Sequence, residues 1–148
     1  MANLRRFFLL PRAASWLVIK AALLLVAIKL GTWLLPFRTL RRLSALATIV
    51  PKWGLQNADH ASATGIAWAV EAAGRRVPGT KSCLTQALAT QVLLTRRGYP
   101  ALLHIGVEGG QRERFRAHAW VESEGKVVIG GSGLERFTPL AILDVEGS

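Results

Sequence analysis

The sequence predicts an α+β fold, in which N-terminal helices and a helix that begins at the only cysteine pack on a small antiparallel sheet. Apolar residues recur at helical spacing up to residue 100, and beyond it they alternate with polar residues as in strands. The chain has 148 residues, of which 51% are hydrophobic, enough for one domain with a sizeable core. We expect a basic, apolar helical part over residues 1–56 and a compact core over residues 57–148.

The first part of the chain carries most of the unbalanced charge. Nine of the 19 Lys and Arg residues, and none of the nine Asp and Glu residues, precede Asp59, and the net charge is +10. Such a balance suits a membrane surface, nucleic acid or an acidic peptide. The basic residues lack interleaved aromatics on a sheet and any helix-turn-helix pattern, which argues against nucleic acid.

The stretch Ala13–Leu35 is long enough to span a bilayer as a helix. Lys20 and Lys29 interrupt it, and a lysine at the centre of a span costs about 2.5 to 3.5 kcal/mol. No small-residue cleavage site follows Leu35, which argues against a removable signal peptide. We therefore predict a helix that ends at Pro36 and either packs in the core or lies on a membrane surface. The expected compartment is the cytoplasm, with peripheral membrane association left open.

Two further helices are predicted before the cysteine. Arg38–Ile49 has a basic amphipathic pattern, and Pro51–Gly54 reads as a turn. After it, Asn57 or Asp59 can cap a helix that runs to about Ala73.

The next helix is predicted to begin at the cysteine. Ser82 can cap its N–H groups, and Gly98 and Pro100 stop its far end. The thiol of Cys83 then lies at a helix N-terminus, where the peptide dipoles favour the reactive thiolate. A single cysteine excludes an internal disulfide and a multi-cysteine zinc site, and no metal or cofactor is expected. The predicted inner face consists of Leu84, Ala87, Leu88, Val92 and either Leu94 or Thr95.

Three strands in a meander are predicted after the cysteine helix. Ala101–Val107 is the first, and Glu108–Gln111 is a Gly-Gly turn into Arg114–Glu122. Glu124–Gly125 is a tight hairpin turn that leads into Lys126–Gly130.

The second predicted strand carries a histidine. Strict alternation places Arg116, His118, Trp120 and Glu122 on a polar face and Phe115, Ala117, Ala119 and Val121 on the other. A cysteine at a helix start followed by a histidine in a strand is the chain order of papain-like and transglutaminase-like cysteine enzymes. We predict that Cys83 is the nucleophile and His118 the general base and acid.

Other polar residues have less defined roles. His104 lies among apolar neighbours and is expected to be structural, and His60 is expected to be solvated. Trp120 suits either sheet packing or the wall of a cleft. Gln86, one turn beyond Cys83, could flank the site, but the backbone N–H of Cys83 is the better candidate for an oxyanion donor.

Several runs in the second half resemble lasso peptide biosynthesis B proteins, which are transglutaminase-like cysteine peptidases that remove the leader from a lasso peptide precursor. The runs are Cys83-Leu84 through to Gly98-Tyr99-Pro100-Ala101, then Leu103-His104-Ile105-Gly106-Val107, then Ala117-His118-Ala119-Trp120-Val121-Glu122. The resemblance implies that Cys83 is the nucleophile and His118 the base, and that no metal or nucleotide takes part. It also implies three partners: the precursor peptide, a small leader-recognition protein and a separate lasso cyclase. A membrane surface is a further candidate partner.

Two alternatives to a leader peptidase stay open. A transglutaminase-type acyl transferase would use the same Cys83 and His118 with an amine in place of water. A non-enzymatic, basic membrane-surface protein would use neither.

The third catalytic group is missing from its expected position. By resemblance, an aspartate should follow the histidine by roughly a dozen residues, near Gly130, where the sequence has no carboxylate. Counting back from the Glu124–Gly125 turn places His118 opposite Gly131, and a one-residue bulge moves it to Gly130 or Ser132.

The group that orients the histidine is therefore expected to be a weak one. We predict Ser132 or a backbone carbonyl, unless the chain after Gly133 returns to present Glu135 or Asp144. Because an aspartate is what the position lacks, Gly130→Asp is expected to be tolerated or to improve turnover.

Overall fold

The computed structural model describes residues 12–36, 38–39, 42, 62–109 and 116–144. Within them the α+β prediction is confirmed. The helices with described ends are α1 (Arg12–Leu34), α2 (Ala63–Arg76) and α3 (Cys83–Arg96), and the strands are β1 (Leu102–Glu108), β2 (Arg116–Ser123), β3 (Lys126–Ile129) and β4 (Thr138–Leu143), with a 3-10 turn at Leu134–Arg136 between the last two. Most of the predicted helix Arg38–Ile49, the turn at Pro51–Gly54, His60, and residues 110–115 lie outside the described residues.

The start of α2 differs from the prediction. The helix is capped by Ser62, whose hydroxyl accepts a hydrogen bond from the N–H of Gly65 at 3.1 Å, so neither Asn57 nor Asp59 is the cap. A serine caps as well as either of these residues. The helix also continues past Ala73, because no glycine in a left-handed conformation or proline stops it before residue 77.

The boundaries of α3 are those that the sequence predicts. Gly98 has a φ of +81°, and its N–H donates to the carbonyl of Thr95 while that of Tyr99 donates to Leu94, both at 3.0 Å. This pair of bonds is a Schellman motif, which satisfies the last carbonyls of the helix and favours glycine.

Burial of α3 extends well beyond one inner face. The helix lies between the sheet and the other two helices, so side chains on most of its circumference are covered, and Leu94 rather than Thr95 is buried. Gln91 is one of the covered residues, and its Nε2 donates to the carbonyls of Ala101 at 3.2 Å and Leu143 at 2.8 Å. These bonds tie α3 to the start of β1 and the end of β4. The buried residues of α3 are Thr85, Ala87, Leu88, Ala89, Thr90, Gln91, Val92, Leu93 and Leu94.

The sheet has one strand more than the predicted meander. Its order is β3-β2-β1-β4, with antiparallel neighbours, so the chain after β3 crosses back to pair with β1. The alternation that marks β2 is weak in β4, whose second residue is Pro139. Proline is tolerated here because β4 is an edge strand, with no further strand to receive its missing N–H.

The hairpin between β2 and β3 is the predicted two-residue turn. Glu124 and Gly125 both have positive φ, 51° and 76°, as a type I′ turn requires. Ser123 pairs with Lys126, but the register shifts by one residue before Val121 pairs with Ile129. The sheet therefore contains a one-residue bulge, which the sequence allowed as an alternative register.

One face of α1 belongs to the core. Its buried residues join the cluster formed by α2, α3 and the inner face of the sheet. The segment Ser15–Leu34 is the one helix among the described residues that is long and apolar enough to cross a membrane, with a mean hydropathy of 2.0. Core helices and signal sequences share this length and composition. The buried α1 residues are Leu17, Val18, Ala21, Leu25 and Ile28.

Candidate active site

Cys83 is the first residue of α3 and is half-buried, with its side chain packed against the core cluster. Ser82 precedes it in an extended conformation, with φ −60° and ψ 129°, but its hydroxyl makes no capping hydrogen bond. The predicted side-chain cap is therefore absent, although Ser82 does occupy the cap position. Among the described residues, no hydrogen bond is donated by the N–H groups of Cys83 and Leu84. Within the described part of the chain, those two N–H groups at the helix start are therefore available to an acceptor.

The loop that leads to Cys83 is fixed by Thr80 and Gln86. Thr80 is buried, and its hydroxyl donates to the carbonyl of Val77 at 2.8 Å. The Nε2 of Gln86 lies 3.5 Å from the carbonyl of Thr80, and a Cβ at Gly74 would lie only 2.5 Å from the same Nε2. Gln86 thus packs between α2 and the loop, and these contacts give it a structural role.

His118 lies on β2, paired across the sheet with Gly106 of β1. Its Nε2 is 2.7 Å from the carbonyl oxygen of Gly130. Because a carbonyl oxygen only accepts hydrogen bonds, Nε2 must carry the proton in this contact. In the neutral ring, Nδ1 is then the nitrogen without a proton. It can therefore accept a proton, as a general base must.

The conformation of Gly130 explains why its carbonyl reaches the imidazole. β3 ends at Ile129, and Gly130 takes a φ of +77°, a conformation that residues with a side chain rarely adopt. A Cβ on Gly130 would lie 2.7 Å from the carbonyl oxygen of Ala119 and 3.0 Å from Cβ of Trp120. The expectation that Gly130→Asp is tolerated is therefore wrong, because the backbone leaves no room for any side chain.

The other groups considered for this role lie elsewhere. Ser132 is exposed, and the side chain of Glu135 is 77% exposed beside Arg136. Asp144 follows Leu143, which pairs with Leu103 of β1, so Asp144 itself lies four strand positions from the level at which Gly106 faces His118. Four strand residues span about 13 Å, too far for a direct hydrogen bond.

Aromatic rings surround the imidazole on the outer face of the sheet. The ring centroid of His118 is 4.9 Å from that of Phe137 and 6.1 Å from that of Trp120. Trp120 in turn stacks on His104 at 5.3 Å with an interplanar angle of 7°. A Cβ at Gly106 would lie 2.9 Å from the Trp120 ring, so the absent side chain makes room for the indole.

The predicted polar face is therefore not a solvated one. Trp120 is only 6% exposed, which favours sheet packing while leaving it in contact with the imidazole. His104 is buried as well, and its Nε2 lies 3.4 Å from an oxygen of Glu122. The alignment is not that of a hydrogen bond, and Nε2 has no hydrogen-bond partner among the described residues. The contact with Glu122 is therefore weak, because misdirected polar contacts are weak.

The elements that carry Cys83 and His118 share one core, but the two side chains do not meet there. Cys83 packs against the cluster that includes Ala119, whereas the side chain of His118, the residue before Ala119, points to the outer face of the sheet. No hydrogen bond within 4.0 Å joins the sulfur to the imidazole among the described residues. In the same residues, no group of three or more His, Cys, Asp or Glu side chains is placed to hold a metal ion.

Most of the chain matches a known protein superfamily. Residues 22–142 match the Transglutaminase-like superfamily, a range that begins inside α1 and includes all four strands. Neither the curated proteins nor the solved structures contain a significant match to the chain. Because the match covers well over half of the sequence and includes both Cys83 and His118, the chain belongs to the transglutaminase-like superfamily.

Proposed function

We propose that this protein is a cysteine endopeptidase that removes the leader from a lasso peptide precursor, with Cys83 as nucleophile and His118 as general base and acid. Membership of the superfamily supports a cysteine peptidase or acyltransferase activity. The resemblance of residues 83–122 to lasso peptide B proteins supports the narrower assignment. The observation that carries the proposal is the 2.7 Å contact between His118 Nε2 and the Gly130 carbonyl, because it orients the base.

The first half of the reaction follows from that orientation. With Nε2 donating to Gly130, Nδ1 of His118 takes the proton of the Cys83 thiol. The thiolate attacks the carbonyl carbon of the last leader residue, and the charge that develops on the carbonyl oxygen is stabilised by the N–H groups at the start of α3. The imidazolium then protonates the nitrogen of the departing core peptide. The leader is left as a thioester on Cys83.

The second half regenerates the enzyme. His118 takes a proton from a water molecule, which attacks the thioester, and the leader departs as a free acid while the proton returns to the thiol. No step requires a group other than the two side chains, the backbone donors and water.

The absence of a hydrogen bond between Cys83 and His118 fits a resting enzyme. Catalytic hydrogen bonds are often long or poorly aligned until substrate is bound. The imidazole is already held by Gly130, so the proposal requires that substrate binding bring the thiol and Nδ1 together. We propose that the precursor supplies this alignment when it is delivered by a leader-recognition protein, with a separate cyclase acting next, in the cytoplasm.

The proposal is tested by mixing the full chain with a precursor peptide encoded beside its gene and with the recognition protein, and by measuring product masses. Free leader acid and free core peptide are expected, and neither should form with Cys83→Ala. The isosteric Cys83→Ser is a matched control that keeps the size and polarity of the side chain but is a far poorer nucleophile.

An added amine such as glycine methyl ester separates the peptidase from the acyl transferase. A peptidase gives leader acid as the main product, whereas an acyl transferase gives the leader amide even at low amine concentration. If neither product forms with any tested precursor while the protein is folded, the non-enzymatic alternative replaces the proposal.

A further inference from the structure

The exposed side of α1 is as apolar as its buried side. Leu23 is 67% exposed and Trp33 83% exposed, and both belong to a larger set of exposed apolar residues on the helix. A helix that is apolar all round is normally covered all round, and exposed apolar patches mark interaction surfaces. The set, which we call the α1 stripe, consists of Trp16, Ile19, Leu23, Val26, Leu30, Trp33 and Leu34.

Helical geometry joins these residues into one continuous surface. At 100° per residue, the seven positions fall within an arc of roughly 120°. Along the helix axis they extend from Trp16 to Leu34, about 27 Å at 1.5 Å per residue. The core residues of α1 occupy the opposite arc, where the helix packs on α2 and α3. The stripe is therefore a long, straight band that faces away from the other described helices and the sheet.

Two lysines border the stripe, one on each side. Lys20 and Lys29 lie about 80° and 100° from the middle of the band, and Lys20 also lies 5.7 Å from the ring of Trp16. They are the only charged residues between Ser15 and Leu34. Long basic side chains at the edge of an apolar band, with tryptophans near both ends, are typical of segments at a membrane interface, where the amines reach the headgroups.

We propose that the α1 stripe docks on the surface of an anionic membrane, with the helix axis in the plane of the bilayer and α2, α3 and the sheet above it. The sign of the charge favours this occupant, because nine basic residues and no acidic one precede Asp59 and anionic lipids attract such segments. A second copy fits less well, since facing stripes would bring their lysine borders together. If α1 spanned the membrane, the residues on its opposite arc would lose their contacts with the core.

Vesicle sedimentation with the full chain tests the proposal. Vesicles of phosphatidylcholine that contain a quarter of phosphatidylglycerol should bind the protein more tightly than pure phosphatidylcholine, and binding should weaken as salt rises from ~50 to ~500 mM. The double variant Leu23→Glu/Leu30→Glu should bind on the order of tenfold less or weaker, because it removes apolar area from the bilayer contact. Its matched control is Leu140→Glu/Ile142→Glu, two exposed apolar residues of β4, which should bind as the wild type does.

The variant Lys29→Glu is an independent test, because it leaves the apolar residues in place. It should prefer anionic vesicles less strongly than the wild type does. Equal binding of the wild type and the Leu23→Glu/Leu30→Glu variant would overturn the proposal, as would a failure to bind anionic vesicles. A homodimer that this variant dissociates would assign the stripe to a second copy. Retention of the wild type in membranes at high pH would instead indicate a span. A lower melting temperature of the variant would show that the chain itself covers the stripe.

Discussion

The two halves of the candidate site are built in different ways. At the nucleophile end, Cys83 is half-buried, forms no hydrogen bond with the imidazole, and follows a Ser82 whose hydroxyl caps nothing. At the base end, the His118 imidazole bonds to the Gly130 carbonyl and lies against the rings of Phe137 and Trp120. The proposed base is thus held in place without substrate, whereas the proposed nucleophile has no such partner.

This difference matches how much positioning a thiol and an imidazole each need. A thiol needs little help, because its anion is accessible near neutral pH and a helix start favours it further. An imidazole must present one defined nitrogen, and only a fixed partner on the other nitrogen ensures that. A carbonyl at Gly130 does so without adding a charge, in the place where the resemblance calls for an aspartate.

The largest effect is expected when either reacting side chain is removed. Cys83→Ala and His118→Ala should each lower kcat/KM by a factor on the order of 10⁴ or more, and the double variant should lose no more than the worse single one, because residues that act as a unit are not additive. Measured cleavage rates of the three proteins test this. Multiplicative losses would show that the two residues do not belong to one catalytic pair.

A smaller loss is expected when the orienting carbonyl is displaced. Gly130→Ala forces a side chain into a φ of +77° and against the Ala119 carbonyl, so kcat should fall on the order of 10²-fold while KM changes little. Gly131→Ala is the matched control, since the position has no positive φ and its Cβ would meet only the exposed side chain of Val127, at 3.3 Å. Circular dichroism must show both variants folded.

A wild-type kcat in a folded Gly130→Ala variant would mean that the carbonyl does not orient the base. Equal losses in the two glycine variants would point to a general effect on the end of β3.

The sequence predicts the elements that carry Cys83 and His118 better than it predicts the surroundings of His118. The end of α3 depends on local signals, Gly98 and Pro100, and its start follows Ser82, which occupies the cap position without a side-chain hydrogen bond. The predicted boundaries are confirmed. The helix carrying Cys83 and the strand carrying His118 were therefore both predictable. Their roles in catalysis remain predictions.

The surroundings of His118 depend on contacts that no local pattern encodes. β4 pairs with β1 across more than thirty residues of chain, and its proline obscures the alternation. The one-residue bulge between Val121 and Glu122 and the left-handed conformation of Gly130 just after β3 are likewise not marked by any local pattern. The sequence did predict that a weak group such as a backbone carbonyl would face His118, because no carboxylate was in register.

The ring beside the imidazole should have a moderate effect. Trp120→Phe keeps an aromatic ring but removes the part that fills the space over Gly106, so His118 gains freedom and kcat should fall about fivefold. Gly106→Ala should displace the indole and act in the same direction. Both are checked by kcat and by the melting temperature, because a fall in stability without a change in kcat would restrict Trp120 to a packing role.

The smallest effects are expected at the two carboxylates that lie after Gly133. Glu135→Gln and Asp144→Asn should each change kcat/KM by less than about threefold, since neither is placed to reach His118 directly. Their cleavage rates, measured beside the wild type, check this. A loss on the order of 10⁴ in either variant, the scale seen when a serine-protease triad loses its aspartate, would identify the true third member and displace Gly130 from that role.

The most direct test of a Cys83 nucleophile served by a pre-oriented His118 is the intact mass of the enzyme during turnover. Protein mixed with its precursor and quenched in acid should gain the mass of the leader minus water, and peptide mapping should place that mass on Cys83. The adduct should disappear as leader acid forms, and it should not accumulate in His118→Ala. A modification on another residue, or cleavage by Cys83→Ala at the wild-type rate, would contradict this account.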